Sequence, residues 1–305
     1  MPLAFERLWA CGRQANCFGA SPRSFRDNWQ NNCAFFQHMD TNKLTDIVNQ
    51  SGFPLQMGVV AQIEKTKDSH GWSVRFVEHA WKNQFDGDGG FIDIVLEDRH
   101  RTTVMVVECK RVLESSWIFL KANTGSPLRR HAKAWVTHFS SNELKHAGWT
   151  DLTLDPSTPE SAFCVVHGQD SKSRPMLERV AAELVSATEA YAIEDQAYMA
   201  KQFDLFRMCF GVIVTTATLK VCTFNPEEVS VTDGKVASTE FLEVPFLRFR
   251  KQLSARPLDS QLTLAGGFYD VARAKEHTVF VVNAASLAQF LSEFEVSNDA
   301  VRRFV

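Results

Sequence analysis

The sequence predicts an α/β protein in which helices flank a central mixed β-sheet. Short runs rich in β-branched residues, such as 91–96 and 102–110, have the length and composition of strands. Longer stretches with apolar residues at helical spacing, near 55–63 and 175–207, alternate with groups of these runs. Hydrophobic residues make up 45% of the 305 residues and charged residues 23%, which indicates a folded globular chain and not a disordered one.

The predicted elements follow in a definite order. A helix around 55–63 precedes a strand at 72–81, and a hairpin then joins 91–96 to 102–110 across five polar residues. The later predicted elements are strands at 161–167, 211–216, 219–224, 243–250 and 278–283 and helices at 175–207 and 286–294. Residues 1–50 have weak periodicity and are expected to be an N-terminal extension. Residues 51–305 are expected to form one domain with an insertion at about 115–175.

Composition excludes several classes of protein. No stretch of 18 apolar residues occurs, so no membrane-spanning helix is expected, and the N-terminus lacks the pattern of a signal peptide. The seven cysteines include no Cys-x-x-Cys pair, which favours reduced thiols in a cytoplasmic protein. A net charge of −3 argues against general affinity for polyanions, so any nucleic-acid binding would need local basic patches.

Charged residues stand where the hairpin strands should be apolar. Asp93 interrupts the first strand, and Glu108 and Lys110 end the second. Alternation puts Glu108 and Lys110 on one face and Cys109 on the other, and the expected register brings Asp93 close to Glu108. Paired carboxylates suit Mg²⁺ or Mn²⁺, so Asp93, Glu108 and the backbone carbonyl of Cys109 are predicted metal ligands. Lys110 is predicted to hold or activate the attacking water and to neutralise developing phosphate charge.

This arrangement resembles the PD-(D/E)XK nuclease superfamily. The matching residues are Asp93 in the segment Gly90-Phe-Ile-Asp93-Ile-Val and the triplet Glu108-Cys109-Lys110. The resemblance implies a restriction-endonuclease-like core of helix, three strands, helix and strand, with Glu64 on the first helix as an auxiliary catalytic residue. An isoleucine precedes the aspartate in place of the proline of the motif, and the insertion separates the triplet from the next core helix.

The same resemblance implies an activity and partners. It implies a Mg²⁺-dependent endonuclease that hydrolyses the phosphodiester backbone, of DNA in preference to RNA, with a role in restriction or anti-phage defence. It also implies action as a homodimer or with a partner subunit. Two rival functions stay open: a catalytically inactive module of the same fold that binds nucleic acid or protein, and a metal-independent sugar hydrolase using Asp93 and Glu108 as acid and base.

Other charged segments have alternative interpretations. Glu143-Leu-Lys145 also fits the triplet, but no strand bearing an aspartate precedes it, so it is predicted to be solvated helical surface. The basic stretch 128–146 is predicted to be helical, and it either contacts phosphates or faces solvent. The alternation of Arg248, Phe249 and Arg250 suits either a nucleic-acid edge or an edge strand guarded by charge.

Overall fold

The structure is a computed structural model. It describes residues 40–84, 87–113, 115–124, 128–141, 143–166, 175–199, 205–253, 272 and 274–302. The chain divides into two compact units, residues 1–50 and 51–305. The described part of the first unit is helix α1 (Thr41–Gln50), in which every residue is exposed.

The second unit opens with the elements that position the candidate site. Helix α2 (Phe53–His70) has Pro54 in its first turn, where a missing N–H costs nothing. It ends at Gly71, whose φ of 73° is the left-handed conformation that closes many helices. The strands that follow directly are β1 (Trp72–Lys82), β2 (Gly89–Asp98) and β3 (Thr103–Lys110).

Five strands occupy the predicted insertion, and further helices and strands follow them. The five are β4 (Ser116–Ala122), β5 (Arg129–Ser140), β6 (Glu143–Thr158), β7 (Glu160–Ser161) and β8 (Phe163–Val166). The remaining elements are α3 (Met176–Met199), β9 (Leu205–Thr215), β10 (Thr218–Phe224), β11 (Glu240–Glu243), β12 (Phe246–Gln252), β13 (Glu276–Asn283), α4 (Leu287–Glu293), β14 (Glu295–Val296) and α5 (Asn298–Arg302).

The strands form two sheets. The larger has ten strands and a spine in the order β1-β2-β3-β9-β13-β12-β7, to which β5, β6 and β14 are added as a branch. Strands β1, β2 and β3 are antiparallel, whereas β9 runs parallel to both β3 and β13. A four-stranded sheet has the order β11-β10-β4-β8. The fold is therefore α/β with a large mixed sheet flanked by helices, as the sequence predicts.

Two apolar cores lie on opposite faces of the large sheet. Along β3, Val104 and Val106 belong to the core beneath α3, while Met105 and Val107 belong to the core beneath α2 and α4. This alternation is the period of two expected of a strand with both faces buried. It also puts Glu108 and Lys110, two and four residues beyond Val106, on the α3 face.

The prediction of a helix over 128–146 is wrong. This stretch forms strand β5 and the start of β6, and β5 pairs with β6 on one side and with β9 on the other. The middle of β5 is buried on both faces, with Ala132, Ala134 and Val136 in the core beneath α2 and α4 and Trp135 packed against the core beneath α3. Its apolar residues therefore lose the alternation that marks a half-exposed strand. The helix predicted at 175–207 ends at Met199, since 205–207 already belong to β9.

Both interpretations of Arg248 and Arg250 are also wrong, because β12 is an interior strand between β13 and β7. Arg248 is fully buried, and its guanidinium donates to the backbone carbonyls of Arg129, Pro156 and Leu154. Arg250 pairs with Asp151 and Glu276. The side chains of Arg248 and Arg250 therefore make structural contacts within the protein. Among the described helices, none is long and apolar enough to cross a membrane.

Candidate functional site

The candidate site lies where the β2–β3 hairpin departs from regular pairing. Backbone pairing between β2 and β3 runs from Glu97 opposite Val104 to Ile94 opposite Val107. Continued by one residue, this register puts Asp93 opposite Glu108. At that point, however, the Asp93 carboxylate turns towards β3, and its Oδ2 accepts the backbone N–H of Cys109 at 2.6 Å. Asp93 is thereby fixed beside the triplet.

Glu108 and Lys110 form the other half of the site. Lys110 Nζ lies 2.5 Å from Glu108 Oε1, and the two side chains are 36% and 21% exposed. This partial exposure leaves the ion pair open to solvent and to a ligand. The structure therefore brings three of the residues named from the sequence, Asp93, Glu108 and Lys110, to one point on the α3 face.

The surroundings disfavour negative charge at both carboxylates. Burial raises the pKa of Asp93, although the N–H of Cys109 and the charge of Lys110 oppose the rise. Burial also raises the pKa of Glu108, and repulsion from Asp93 raises it further. The site thus carries more negative charge than Lys110 alone compensates, which is the electrostatic condition that favours an added cation.

Lys110 is held in its charged form. Burial acts to lower its pKa, but the hydrogen bond and charge of Glu108, together with the charge of Asp93, raise it above the usual value for lysine. A lysine in this state neutralises charge and donates hydrogen bonds, and it is not a base. The part of its predicted role that this arrangement favours is to orient water and to stabilise charge on a phosphate.

Three further residues of this site are absent from the sequence prediction. Gln56, on α2, donates from Nε2 to the carbonyl of Asp93 at 3.0 Å and to Glu78 Oε1 at 2.5 Å. The charge of Glu78 contributes to the raised pKa of Asp93. Glu183, on α3, likewise contributes to the raised pKa of Glu108, and its Oε1 lies 3.9 Å from the point where a Cβ would stand on Gly90. No short motif joins these residues, because each comes from a different element.

Glu64 lies elsewhere. Its Oε1 accepts the N–H of Val74 at 3.3 Å, and its Oε2 pairs with Lys67 at 3.4 Å. Val74 is opposite Leu96, which is three residues along β2 from Asp93, or about 10 Å at ~3.3 Å per residue. The structure does not bring Glu64 to the carboxylates, and Gln56, two helical turns earlier, is the α2 residue that contacts Asp93.

The second triplet provides a contrast. Lys145 Nζ lies 2.5 Å from Glu143 Oε2, the same separation as in the first triplet, but these side chains are 45% and 73% exposed. The hydrogen bond from Lys145 lowers the pKa of Glu143, which is the opposite of the shift at Glu108. Glu143 and Lys145 lie on the surface as predicted, although at the start of strand β6 and not on a helix.

The predicted ligands of Mg²⁺ or Mn²⁺ are the carboxylates of Asp93 and Glu108 and the backbone carbonyl of Cys109. Within the part of the chain that the structure describes, no group of three or more His, Cys, Asp or Glu side chains is arranged to hold a metal ion. Mg²⁺ commonly keeps several waters and uses only one or two carboxylates, which Asp93 and Glu108 can supply. Burial raises the pKa of the Cys109 thiol, so its thiolate is disfavoured and only its backbone carbonyl suits the predicted role. The residues present therefore fit a hydrated divalent cation.

Comparison with known proteins gives no relative for this fold and site. No protein-family model, curated protein or solved structure matches the chain.

Proposed function

We propose that this chain is a metal-dependent nuclease that hydrolyses phosphodiester bonds of DNA on a restriction-endonuclease-like core. The observation that carries the proposal is the convergence of Asp93, Glu108 and Lys110 on one partly exposed point of the sheet. The element order adds support. Helix α2, antiparallel strands β1 to β3, helix α3 and strand β9, which is parallel to β3, follow one another in the order that the resemblance implies, with β4 to β8 inserted between β3 and α3.

Each residue has a role in the proposed reaction. Asp93 and Glu108 would hold Mg²⁺ or Mn²⁺, which when bound supplies a polarised water and positive charge next to the scissile phosphate. Lys110, kept protonated by its two acidic neighbours, donates hydrogen bonds to the attacking water and to a non-bridging phosphate oxygen. Cys109 holds Asp93 in place through its backbone N–H.

The proposal is tested by incubating the protein with linear DNA, circular DNA and RNA in the presence of Mg²⁺, Mn²⁺ or EDTA. We expect cleavage of DNA with either metal and none with EDTA. Cleavage of a glycoside that persists in EDTA would identify the two carboxylates as a sugar hydrolase. Binding of DNA without cleavage under every metal condition would identify a non-catalytic module, and either result would overturn the proposal.

A further inference from the structure

Gln56 is a buried side chain that donates two hydrogen bonds at the candidate site. It is 6% exposed and stands on α2 facing strands β1 and β2. Both of its recorded hydrogen bonds leave from Nε2, one to the carbonyl of Asp93 and one to the carboxylate of Glu78. A primary amide has two N–H donors on that nitrogen, so these two acceptors use its full donor capacity.

The backbone beneath Gln56 is irregular. Among the described residues, three that are not glycine have positive φ, and Arg101 and Ser141 lie between strands, whereas Glu78 (φ 54°) lies inside β1. Pairing of β1 with β2 passes from Val77–Ile94 to His79–Ile92 and omits Glu78 and Asp93. A left-handed residue in a strand costs on the order of 1–3 kcal/mol, so the surrounding contacts must hold it.

The left-handed residue Glu78 and the break in pairing between β1 and β2 both lie next to Asp93. The carbonyl of Asp93 accepts a hydrogen bond from the side chain of Gln56 on α2, and its carboxylate accepts one from the backbone N–H of Cys109 on β3. Asp93 is therefore fixed at both ends by groups outside its own strand. If the Gln56 hydrogen bonds were lost, the segment around Asp93 would be free to resume regular pairing, and the Asp93 carboxylate would leave the backbone N–H of Cys109.

We propose that Gln56 is a positioning residue that holds the Asp93 carboxylate on the backbone N–H of Cys109, beside Glu108. It acts through two bonds: one holds the main chain of Asp93, and the other holds the left-handed turn at Glu78. The catalytic consequence rests on the proposed nuclease function, but the structural consequence at Cys109 does not. This distinction allows the two proposals to fail separately.

The experiment compares Gln56→Leu, which removes both donors at similar volume, with Gln62→Leu on the same helix. Gln62 is half-buried, and its backbone carbonyl accepts a hydrogen bond from the Thr66 hydroxyl within the helix. The readouts are hydrogen exchange and the proton chemical shift of the Cys109 amide, together with kcat and KM for DNA cleavage with Mn²⁺. For Gln56→Leu we expect faster exchange at Cys109, a kcat lowered about 10- to 100-fold, as is typical when a group that orients a metal ligand is removed, and KM within about twofold of the wild type. Gln62→Leu should match the wild type.

A second pair of variants separates the two bonds and guards against a folding defect. Gln56→Glu keeps the size of the side chain but replaces the donor with an anion next to Glu78. Adding Glu78→Gln restores a donor–acceptor pair between positions 56 and 78, but not the bond to Asp93. We expect Cys109 exchange to stay fast in both variants, with the far-UV circular dichroism spectrum unchanged.

Unchanged Cys109 exchange in Gln56→Leu or in Gln56→Glu would overturn the positioning role, whatever the enzyme cleaves. If the wild type cleaves DNA and Gln56→Leu keeps full kcat, the positioning role also fails while the nuclease proposal stands. If the wild type cleaves no nucleic acid, the nuclease proposal fails, and the exchange measurement still decides the role of Gln56.

Discussion

Lys110 and Lys145 make the same contact in different surroundings. Each lies 2.5 Å from a glutamate two residues before it. A second carboxylate, that of Asp93, also acts on Lys110. Glu108 is shielded enough for its pKa to rise, whereas the pKa of Glu143 is lowered. A triplet motif in a sequence therefore becomes a candidate site only when the fold adds burial and a third charge.

This pair of lysines offers a matched test at the residue scale. We expect Lys110→Ala to lower DNA cleavage about 10²- to 10³-fold, the loss typical of removing one donor that stabilises developing charge. Lys145→Ala should leave the rate unchanged, because Glu143 and Lys145 face solvent. The measurement is the steady-state rate of DNA cleavage by the wild type and both variants under saturating Mn²⁺. Equal rates for the wild type and Lys110→Ala would remove Lys110 from the mechanism.

Asp93 predicts a pH dependence of stability. Its folded pKa is raised above the ordinary value of 3.8, so the folded state binds more protons than the unfolded state between these two values. The free energy of unfolding therefore falls as pH rises through that window, and the penalty persists above it. Asn in place of Asp93 removes the charge and keeps an acceptor for the Cys109 N–H.

We therefore expect Asp93→Asn to raise the melting temperature, measured in EDTA, by more at pH 8 than at pH 3.5. Mn²⁺ should stabilise the wild type and not the variant, since a ligand stabilises only the state that binds it. A wild type that gains stability relative to Asp93→Asn as pH rises would contradict the direction assigned to this pKa.

At the scale of elements, the helices and strands that could be predicted were those whose buried and exposed residues alternate in a regular pattern along the sequence. The β2–β3 hairpin and α2 were predictable, because β-branched runs, a polar turn and helical spacing are local signals. Strand β5 was not, because its middle is buried on both faces, and the spacing of its apolar residues Ala132, Trp135 and Val136 is also that of a helix. The approach of Glu183 to the site was also hidden, since it depends on how α3 lies on the sheet.

Gly211 on β9 allows α3 to pack closely against the sheet. A Cβ at this position would lie 3.3 Å from Leu184 Cγ and 3.5 Å from Thr188 Oγ1, both on α3. Gly211→Val should therefore press α3 away from the sheet and lower the free energy of unfolding by about 1–3 kcal/mol. It should also reduce cleavage, because Glu183 precedes Leu184 on the same helix.

Gly58 is the control for that substitution. It lies inside α2 with no atom within 4 Å of an added Cβ. Gly58→Ala should raise the free energy of unfolding by about 0.5–1 kcal/mol, since alanine loses less backbone entropy in a helix. Urea denaturation measures both variants. A stability of Gly211→Val equal to that of the wild type would mean that α3 is not closely seated on β9.

At the scale of the whole molecule, a charged network joins elements far apart in the chain. Arg207 on β9 donates to Glu97 Oε1 on β2 and to the carbonyl of Arg101, each at 2.7 Å, and forms a salt bridge with Asp195 on α3. Arg75 on β1 donates to Asp195 Oδ1 at 2.8 Å. The side chains of Arg207 and Asp195 are 2% and 4% exposed. The network therefore links strands β1, β2 and β9 to α3 through largely buried side chains. Local sequence patterns do not predict it, because its residues are far apart in the chain.

Removing Arg207 tests how far the unit depends on this network. Arg207→Met keeps most of the apolar stem but leaves Asp195 and Glu97 to share the half-buried Arg75, so we expect the free energy of unfolding to fall by about 3–5 kcal/mol. Arg130→Met is the control, because the Arg130–Asp155 pair is bidentate but about half exposed, and such pairs contribute ~1 kcal/mol or less. Urea midpoints of the two variants give the comparison. Equal and small losses would show that the buried network contributes no more than a surface ion pair, because its desolvation cost would then cancel the attraction between its charges.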